Sequence, residues 1–438
     1  MEKLFAGYAR VCINPDAPVP LDGYGNNHIR TTDHILDDLY ATCIAFRWGD
    51  ETILWYTQDL LNTKFIMLPE ARKRITERTG VPSEKIFLCS THTHSGPWVY
   101  GETPAVQSFL EIYWNGVAEA AEKAIADLAP ATLQSASTIL NGMNFVRHYI
   151  MNDGTYAGSN FGSIKSGVKS HADINDPQMQ VVQVCREDKQ DLLIMNWQAH
   201  PCMTGGSTKK DISADYIAAV RSKVERDTGM LFAFFQGPAG NQGTGTWIPE
   251  EDHKLDHIQY GEKLAQTAID LLPSMKELDS GGLQTLRVYL EADVNHDDEE
   301  LLPYAKEVAK LWKETEDRDA GNKLARQHGL TSVYHAHTVI ARSERPKRNK
   351  MELNAVRIGD LAFVTTPFEM FAANGITVKT TSPFETTLIC TCCNGDFVYV
   401  PTAKAYDYGC YERSVSYFAK GTGELVTEEF KKMLNALK

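Results

Sequence analysis

The chain has 438 residues, of which 43% are hydrophobic and 23% are charged. This composition is typical of a globular protein and argues against a disordered or fibrous chain. The formal net charge of -13 argues against a nucleic-acid surface, since phosphate binding needs clustered lysine and arginine side chains. We therefore expect the partner to be a small-molecule substrate or a neutral chain.

The N-terminal segment, the apolar runs and the cysteines indicate the cellular compartment of the protein. The N-terminal segment lacks the apolar stretch and cleavage site of a secretory signal, and no apolar run approaches the roughly 18 to 20 residues of a membrane span. Nine cysteines, an odd number, fit reduced thiols better than a disulfide framework. These features predict a soluble cytoplasmic protein without a transmembrane segment. We interpret the Cys390-Thr-Cys392-Cys393 run as buried packing, with metal binding as the alternative.

Strand-like and helix-like stretches alternate along the first 280 residues. Apolar runs at residues 52–56 and 86–90 predict buried strands, and the amphipathic segment 68–79 between them predicts a helix, which together give a βαβ unit. Further helices are predicted at 109–128 and 215–228, and further strands at 192–199, 230–236, 331–340, 351–358, 361–366 and 387–391. The predicted fold class is therefore α/β (mixed α+β), with sheets flanked by helices.

Residues 297–327 have a different, charge-dense helical pattern. We interpret this segment as a solvated helical insertion, with a partner-binding element as the alternative. No repeat or Pro/Gly/Ser-rich linker divides the chain. The prediction is one domain over residues 1–438 with an insertion at about 297–327; a boundary near residue 280 is the alternative.

Two histidines directly follow the predicted strand 86–90. His92 and His94 are two residues apart, and in an extended segment such side chains project to the same side. Neutral imidazole nitrogen is a common zinc ligand. The pair alone leaves a structural role and a metal site equally open. A second pair, His335 and His337, lies within a predicted strand and is interpreted as structural.

Other metal-capable side chains lie at the ends of predicted strands. His200 follows the apolar run 192–199, Glu369 follows 361–366, and Asp59 follows 52–56. A lone acid at such a position is usually a helix cap or a surface charge. Because sites in α/β sheets collect at strand ends, the combination favours function.

Four segments occur in the order found in one known family. They are Thr-His-Thr-His-Ser-Gly-Pro at 91–97, Asn196-Trp197-x-x-His200, Pro367-x-Glu369 and the tyrosine-rich stretch 399–412. The opening residues 6–10 and 21–25 match as well. On these residues the chain resembles the neutral ceramidases and their bacterial ceramidase-like relatives, over most of its length.

The resemblance implies roles for individual residues. It implies zinc as the cofactor, with four ligands: His92, His200, Glu369 and Tyr399. It implies that His94 neighbours the reacting group, and that Tyr411 and Arg147 lie beside the scissile carbonyl. Asp59 is expected to orient a ligand histidine without binding the metal itself.

The chain also departs from the ceramidase pattern. A loop serine implicated in ceramidase catalysis is matched here by Gly243, with Thr244 or Thr246 as neighbouring hydroxyls. Ceramidases follow the His-x-His segment with Gly-Pro-Gly-Gly, whereas this chain reads Gly96-Pro97-Trp98-Val99-Tyr100, and its two large aromatic side chains are expected to narrow a lipid channel. Trp98, Tyr100 and Trp247 are candidates for lining the pocket, core packing being the alternative. Only 26 residues follow Glu412, so we expect no C-terminal immunoglobulin-like domain. These departures predict a substrate other than ceramide.

The function predicted from the sequence is a zinc-dependent amidohydrolase. Zinc at such a site activates water for attack on a linear amide, with His94 handling the proton. Two alternatives remain open at this point. One is a metal-dependent lyase or carbohydrate-active enzyme that uses tyrosine as a base, and the other is a catalytically silent relative that binds a ligand.

Overall fold

The structure is a computed structural model that describes residues 2–25, 29–158, 166–206, 208–245 and 255–438. Within these ranges the chain forms twenty strands and eleven α-helices. The strands are β1 (Leu4–Cys12), β2 (Tyr40–Trp48), β3 (Glu51–Gln58), β4 (Ile86–Ser90), β5 (Ala129–Ile139), β6 (Asn144–Val146), β7 (His148–Met151), β8 (Tyr156–Gly158), β9 (Val168–His171), β10 (Gln178–Arg186), β11 (Leu192–Trp197), β12 (Leu231–Gln236), β13 (Gln242–Thr244), β14 (Lys276–Leu278), β15 (Leu283–Asp293), β16 (Arg348–Ile358), β17 (Leu361–Thr365), β18 (Glu369–Met370), β19 (Thr386–Cys390) and β20 (Tyr399–Val400). The helices are α1 (Leu68–Thr79), α2 (Pro104–Ala126), α3 (Tyr216–Thr228), α4 (His257–Leu271), α5 (Leu302–Thr315), α6 (Arg318–Gln327), α7 (Val333–Ser343), α8 (Ala372–Thr381), α9 (Ala403–Tyr408), α10 (Tyr411–Val415) and α11 (Thr422–Leu437).

Two main sheets form the centre of the molecule. The larger has the strand order β12-β11-β10-β5-β1-β2-β3-β4, with β14 also paired to β5, and the smaller has the order β15-β16-β17-β19. Most neighbours are antiparallel, but β3–β4, β11–β12 and β17–β19 are parallel. The predicted βαβ unit is confirmed as β3-α1-β4, and the predicted α/β class is confirmed. Each parallel pair brings two strand ends, and the loops that follow them, to one edge of a sheet.

The two sheets pack face to face through an apolar layer. Its centre is Trp55 of β3, whose ring stacks 3.9 Å from that of Phe235 on one side and 3.9 Å from that of Phe363 on the other. The cysteine run contributes to the same layer, since Cys390 and Cys393 are buried free thiols within it. The packing interpretation of these two cysteines is therefore confirmed.

Helices cover the outer faces of both sheets. Buried side chains of α1 and α2 pack on β1 to β4, those of α3 and α4 on β11 and β12, and those of α8 and α11 on the smaller sheet. The result is a sandwich of two sheets between two helical layers. No helix among the described residues is both long and apolar enough to cross a membrane.

The charged segment forms a small helical lobe. Helices α5, α6 and α7 enclose their own apolar cluster around Val308, Trp312 and Val333. The predicted strand at 331–340 is therefore wrong, and the lobe extends past residue 327 to Ser343. Ser332 caps α7 by accepting from the His335 backbone N–H, and the hydrophobic contact with α5 stabilises the helix despite its β-branched residues.

Asp298, at the start of this lobe, binds two side chains of α7. Its Oδ2 lies 2.9 Å from His335 Nε2 and 3.0 Å from a guanidinium nitrogen of Arg342. The hydrogen bond from His335, opposed by burial and assisted by Arg342, lowers the Asp298 pKa to about 2 from an ordinary 3.8. The carboxylate therefore stabilises the fold above about pH 4, and this contribution is lost as the pH falls towards 2.

We expect Asp298→Asn to lower the free energy of unfolding by about 1 kcal/mol at pH 7, after allowance for solvent screening of a partly exposed group. The difference from the wild type should shrink between pH 4 and pH 2, because the wild-type carboxylate is then protonated too. Urea unfolding, monitored by circular dichroism, measures this difference in the free energy of unfolding. Asp297→Asn, at the exposed neighbouring position, is the matched control, and a pH-independent difference would contradict the assignment.

Candidate metal centre

The three predicted ligands other than tyrosine come together at the ends of parallel strands. His92 follows β4, His200 follows β11, and Glu369 begins β18 shortly after β17. Tyr399 joins them, because β18 and β20 pair in parallel with Glu369 and Tyr399 in register. The sheet edges therefore converge on one group of four side chains, and all four are buried.

The ligand-type atoms of this group lie close together. Glu369 Oε2 is 3.1 Å from His92 Nε2 and 3.0 Å from His200 Nε2. His94 Nε2 lies 3.4 Å from His92 Nε2. One nitrogen from each of the three histidines lies within 4.8 Å of the other two. His94 is thus placed as closely as His92 and His200, and the division between ligands and proton carrier stays a prediction.

His92 and His94 lie close together, but not because they belong to an extended segment, as the sequence predicts. His92 has a φ of 68°, so the segment after β4 is not an extended strand. A left-handed conformation is costly for a residue with a side chain and is held only where surrounding contacts fix it. The His92 backbone N–H donates to Leu60 O at 3.0 Å and is one such contact. The strained turn directs the His92 imidazole towards Glu369.

Backbone carbonyls orient all three imidazoles. Nδ1 lies 2.8 Å from Leu61 O in His92, 3.0 Å from Gly23 O in His94 and 2.8 Å from Ala239 O in His200. A carbonyl only accepts, so in a neutral imidazole Nδ1 carries the hydrogen and Nε2 keeps its lone pair. This is the usual way in which proteins orient histidine ligands.

The donor set fits a zinc ion. His200 Nε2 and Glu369 Oε2 are buried and form no hydrogen bond, which is costly unless another group satisfies them. Burial, assisted by Arg147, lowers the His200 pKa to about 4, and burial also lowers that of His94 well below its ordinary value, so both rings are neutral at pH 7. Despite burial, the charge of His92 keeps the Glu369 pKa well below its ordinary value. Imidazole nitrogen with carboxylate oxygen is a typical zinc environment.

The other predicted site residues line the same cavity. Arg147 and Tyr411 line it together with the four candidate ligands, and its volume is about 800 Å³. A guanidinium nitrogen of Arg147 lies 3.3 Å from the Tyr399 hydroxyl, and the Tyr399 and Tyr411 rings are 6.0 Å apart. The structure therefore brings the four predicted ligands together with His94, Arg147 and Tyr411, while their roles remain predictions.

Asp59 does not take its predicted position. Both of its oxygens accept from Arg221, at 2.9 and 2.7 Å, and one also accepts from the Tyr40 backbone N–H at 3.0 Å. The carboxylate at the end of β3 thus forms a buried ion pair with α3. The groups that support the histidines are carbonyls, which no residue-type pattern reveals.

Of the three aromatic residues proposed to line the pocket, only Tyr100 is placed there by the structure. Trp98 packs near it, with ring centres 6.5 Å apart, but does not line the cavity. Trp247 lies outside the described residues. The predicted narrowing of the pocket therefore rests on Tyr100 alone.

Two functional neighbours were not predicted from the sequence. Cys392 Sγ lies 3.4 Å from His92 Nδ1, so this cysteine of the run touches the site.

Glu412 is fully buried and accepts from Arg147 at 2.8 Å and from His148 at 2.7 Å. Its position directly after Tyr411 was the available signal. Cys410, His148 and Glu412 also have ligand-type atoms close together, but Glu412 is already paired with Arg147.

The structure shows what fills the space at Gly243. A Cβ atom there would meet the Phe145 ring at 2.9 Å, since β13 and β6 pair with these two residues opposite each other. A serine at this position needs Phe145 to move. Thr244 lines the cavity and is the nearest hydroxyl along the chain, whereas Thr246 lies outside the described residues.

Comparisons with known proteins identify the fold of the chain. No protein-family model and no curated protein matches this chain. The crystal structure of neutral ceramidase from Pseudomonas aeruginosa matches with a TM-score of 0.74 and 18% identity, over 100% of this chain and 75% of that one. A ceramidase complexed with C2 matches with a TM-score of 0.75 and 18% identity over the same shares. The chain thus has the neutral ceramidase fold.

Proposed function

We propose that the protein is a zinc-dependent hydrolase that cleaves a linear amide with water. The observation that carries the proposal is the convergence of His92 Nε2, His200 Nε2 and Glu369 Oε2 within 3.1 Å contacts at the base of a cavity. Tyr399, paired in register with Glu369, completes the ligand set. The two solved structures described above are of ceramidases, which supports an amide as the bond that is cleaved.

A zinc ion in this group supplies Lewis acidity and lowers the pKa of water from about 15.7 towards 7. The protein supplies the remaining groups. His94 donates Nδ1–H to the Gly23 carbonyl, so its Nε2 lone pair faces the cavity and can accept a proton from water. The same atom can then return the proton to the departing amine. His94 is therefore proposed as the general base and acid.

Arg147 and Tyr411 are proposed to bind the carbonyl oxygen of the amide. Burial opposes the charge of Arg147, but Glu412, Tyr399 and Glu369 keep its pKa above the ordinary value, so the guanidinium stays protonated. A fixed cation and a hydroxyl on one wall stabilise the negative charge that develops on the oxygen. Loss of one such donor typically costs about a hundred- to a thousandfold in rate.

Tyrosine is less suited to act as the base of a lyase. Tyr399 is assigned to the metal, and burial raises the pKa of Tyr411 above its ordinary value. The Tyr411 hydroxyl thus gives up its proton less readily than a free tyrosine. This favours hydrolysis over elimination.

Metal analysis together with a product assay tests the proposal. Purified protein is expected to contain one zinc per chain by elemental analysis, and to hydrolyse at least one member of a panel of linear amides. Removal of the metal by a chelator should abolish turnover, and added zinc should restore it. In heavy-oxygen water the acid product should carry the label. Absence of stoichiometric metal together with chelator-insensitive activity, or an unlabelled product, would overturn it.

A further inference from the structure

A group of charged side chains lines the cavity beside the candidate metal centre. Lys64 Nζ lies 3.1 Å from Asp22 Oδ2 and 3.8 Å from Asp396 Oδ2. The Tyr100 hydroxyl donates to Asp396. All four residues face the same cavity as the histidines. We name Asp22, Lys64, Asp396 and Tyr100 the polar subsite.

Two loops connect the polar subsite directly to the histidines. Asp22 precedes Gly23, whose carbonyl binds His94 and whose Cα lies so near that ring that a Cβ would meet it at 2.8 Å. Lys64 lies three residues after Leu61, whose carbonyl binds His92. The polar subsite is therefore held beside the reacting position by the same backbone that orients the imidazoles.

Asp22 and Lys64 of the polar subsite are largely buried, and Asp22 is incompletely satisfied. The Asp22 and Lys64 residues are each 8% exposed. Asp22 Oδ1 accepts from the Gly23 backbone N–H, but Asp22 Oδ2 has the Lys64 ion pair and no hydrogen bond. A buried carboxylate oxygen with spare accepting capacity favours a ligand that donates a hydrogen bond.

The charged side chains of the polar subsite favour a neutral group on the ligand. Carboxylates only accept and an ammonium only donates, so acceptors and a donor alternate along this wall. A hydroxyl does both, and neighbouring hydroxyls match the alternation. An anion would meet two carboxylates, a cation would meet Lys64, and an alkyl chain would leave the charges desolvated without a partner. The exposed ring of Tyr100 offers an apolar face for the carbon skeleton.

We propose that the substrate carries a neutral polyhydroxylated group, as in a sugar or polyol, on one side of the scissile amide, and that the polar subsite binds it. The inference rests on the proposed amide hydrolysis and adds the class of substrate. It also gives a physical reason to expect a substrate other than a lipid amide. Pockets that bind hydroxyls in this way reject analogues that lack them, because the buried polar groups are then left unpaired.

Matched pairs of amides test the proposal. One pair is an N-acyl glucamine and the N-acyl hexylamine with the same acyl chain; the other is an N-alkyl gluconamide and the N-alkyl hexanamide. We expect kcat/KM to be at least about a hundredfold higher for the hydroxylated member of one pair. Asp396→Asn and Tyr100→Phe should each reduce this ratio at least about tenfold, through a larger loss of kcat/KM for the hydroxylated member than for the alkyl member.

Asp227→Asn, in an exposed ion pair of α3, is the control and should leave the ratio unchanged. Tyr100→Phe keeps the test valid if Asp396→Asn fails to fold. Equal turnover of both members overturns the polar subsite and leaves amide hydrolysis intact. If no amide is turned over, amide hydrolysis fails instead, and calorimetry of the same amides with the zinc-loaded protein decides: selective binding of the hydroxylated member supports the subsite, and its absence overturns it.

Discussion

Replacing Glu369 with glutamine is expected to remove the bound metal and to lower kcat/KM for amide hydrolysis by about a thousandfold or more. The carboxylate oxygen Oε2 lies 3.1 and 3.0 Å from the Nε2 atoms of His92 and His200, and it is the only anionic donor of the three. Glutamine keeps the shape but presents a neutral amide. The structural cost should be small, since Oε2 makes no hydrogen bond that the amide would lose.

Elemental analysis and steady-state kinetics on the same preparation measure both effects. Glu122→Gln, at an exposed position of α2 that pairs with Arg78, is the matched control and should keep full metal content and turnover. A Glu369→Gln protein that retains one zinc per chain and wild-type kcat/KM would contradict the assignment of Glu369 as a ligand.

The β-α-β unit was predictable because its pattern is local. The apolar runs of β3 and β4 and the amphipathic segment of α1 each show their own periodicity, and the structure reproduces their ranges closely. Helix α7 was not predictable in this way. Residues 331–340 are rich in β-branched and aromatic side chains, which favour a strand locally, but packing on α5 and the Ser332 cap favour the helix.

The candidate metal centre was predictable for a different reason. His92, His200 and Glu369 each lie shortly after the end of a strand, and strands that end at one sheet edge bring such residues together. The polar subsite has no comparable signal, because its members lie in separate loops at positions 22, 64, 100 and 396. Only the folded chain brings Lys64 within 3.1 Å of Asp22. The sequence therefore indicated which ligand-type side chains come together, but not the polar subsite.

Replacing Glu412 with alanine is expected to lower the free energy of unfolding by about 3 to 5 kcal/mol, because it leaves buried groups without their carboxylate. Glu412 is fully buried and bonds Arg147 at 2.8 Å and His148 at 2.7 Å. Amide turnover should fall as well, since Arg147 also donates to the Gly240 carbonyl and to Tyr399 and would lose the group that fixes its orientation. Urea unfolding and kcat/KM measure the two losses.

The control is Glu119→Ala, at a partly exposed position that pairs with Lys123 of α2; it should cost well under 1 kcal/mol. A second variant identifies the cause of the loss. If the penalty arises from the unpaired charge of Arg147, adding Arg147→Met to Glu412→Ala should recover part of the lost stability, because a buried apolar side chain replaces a buried cation. Turnover should not recover, because the proposed donor to the carbonyl oxygen is then absent. Recovery of both, or of neither, would contradict the joint role of Arg147 and Glu412.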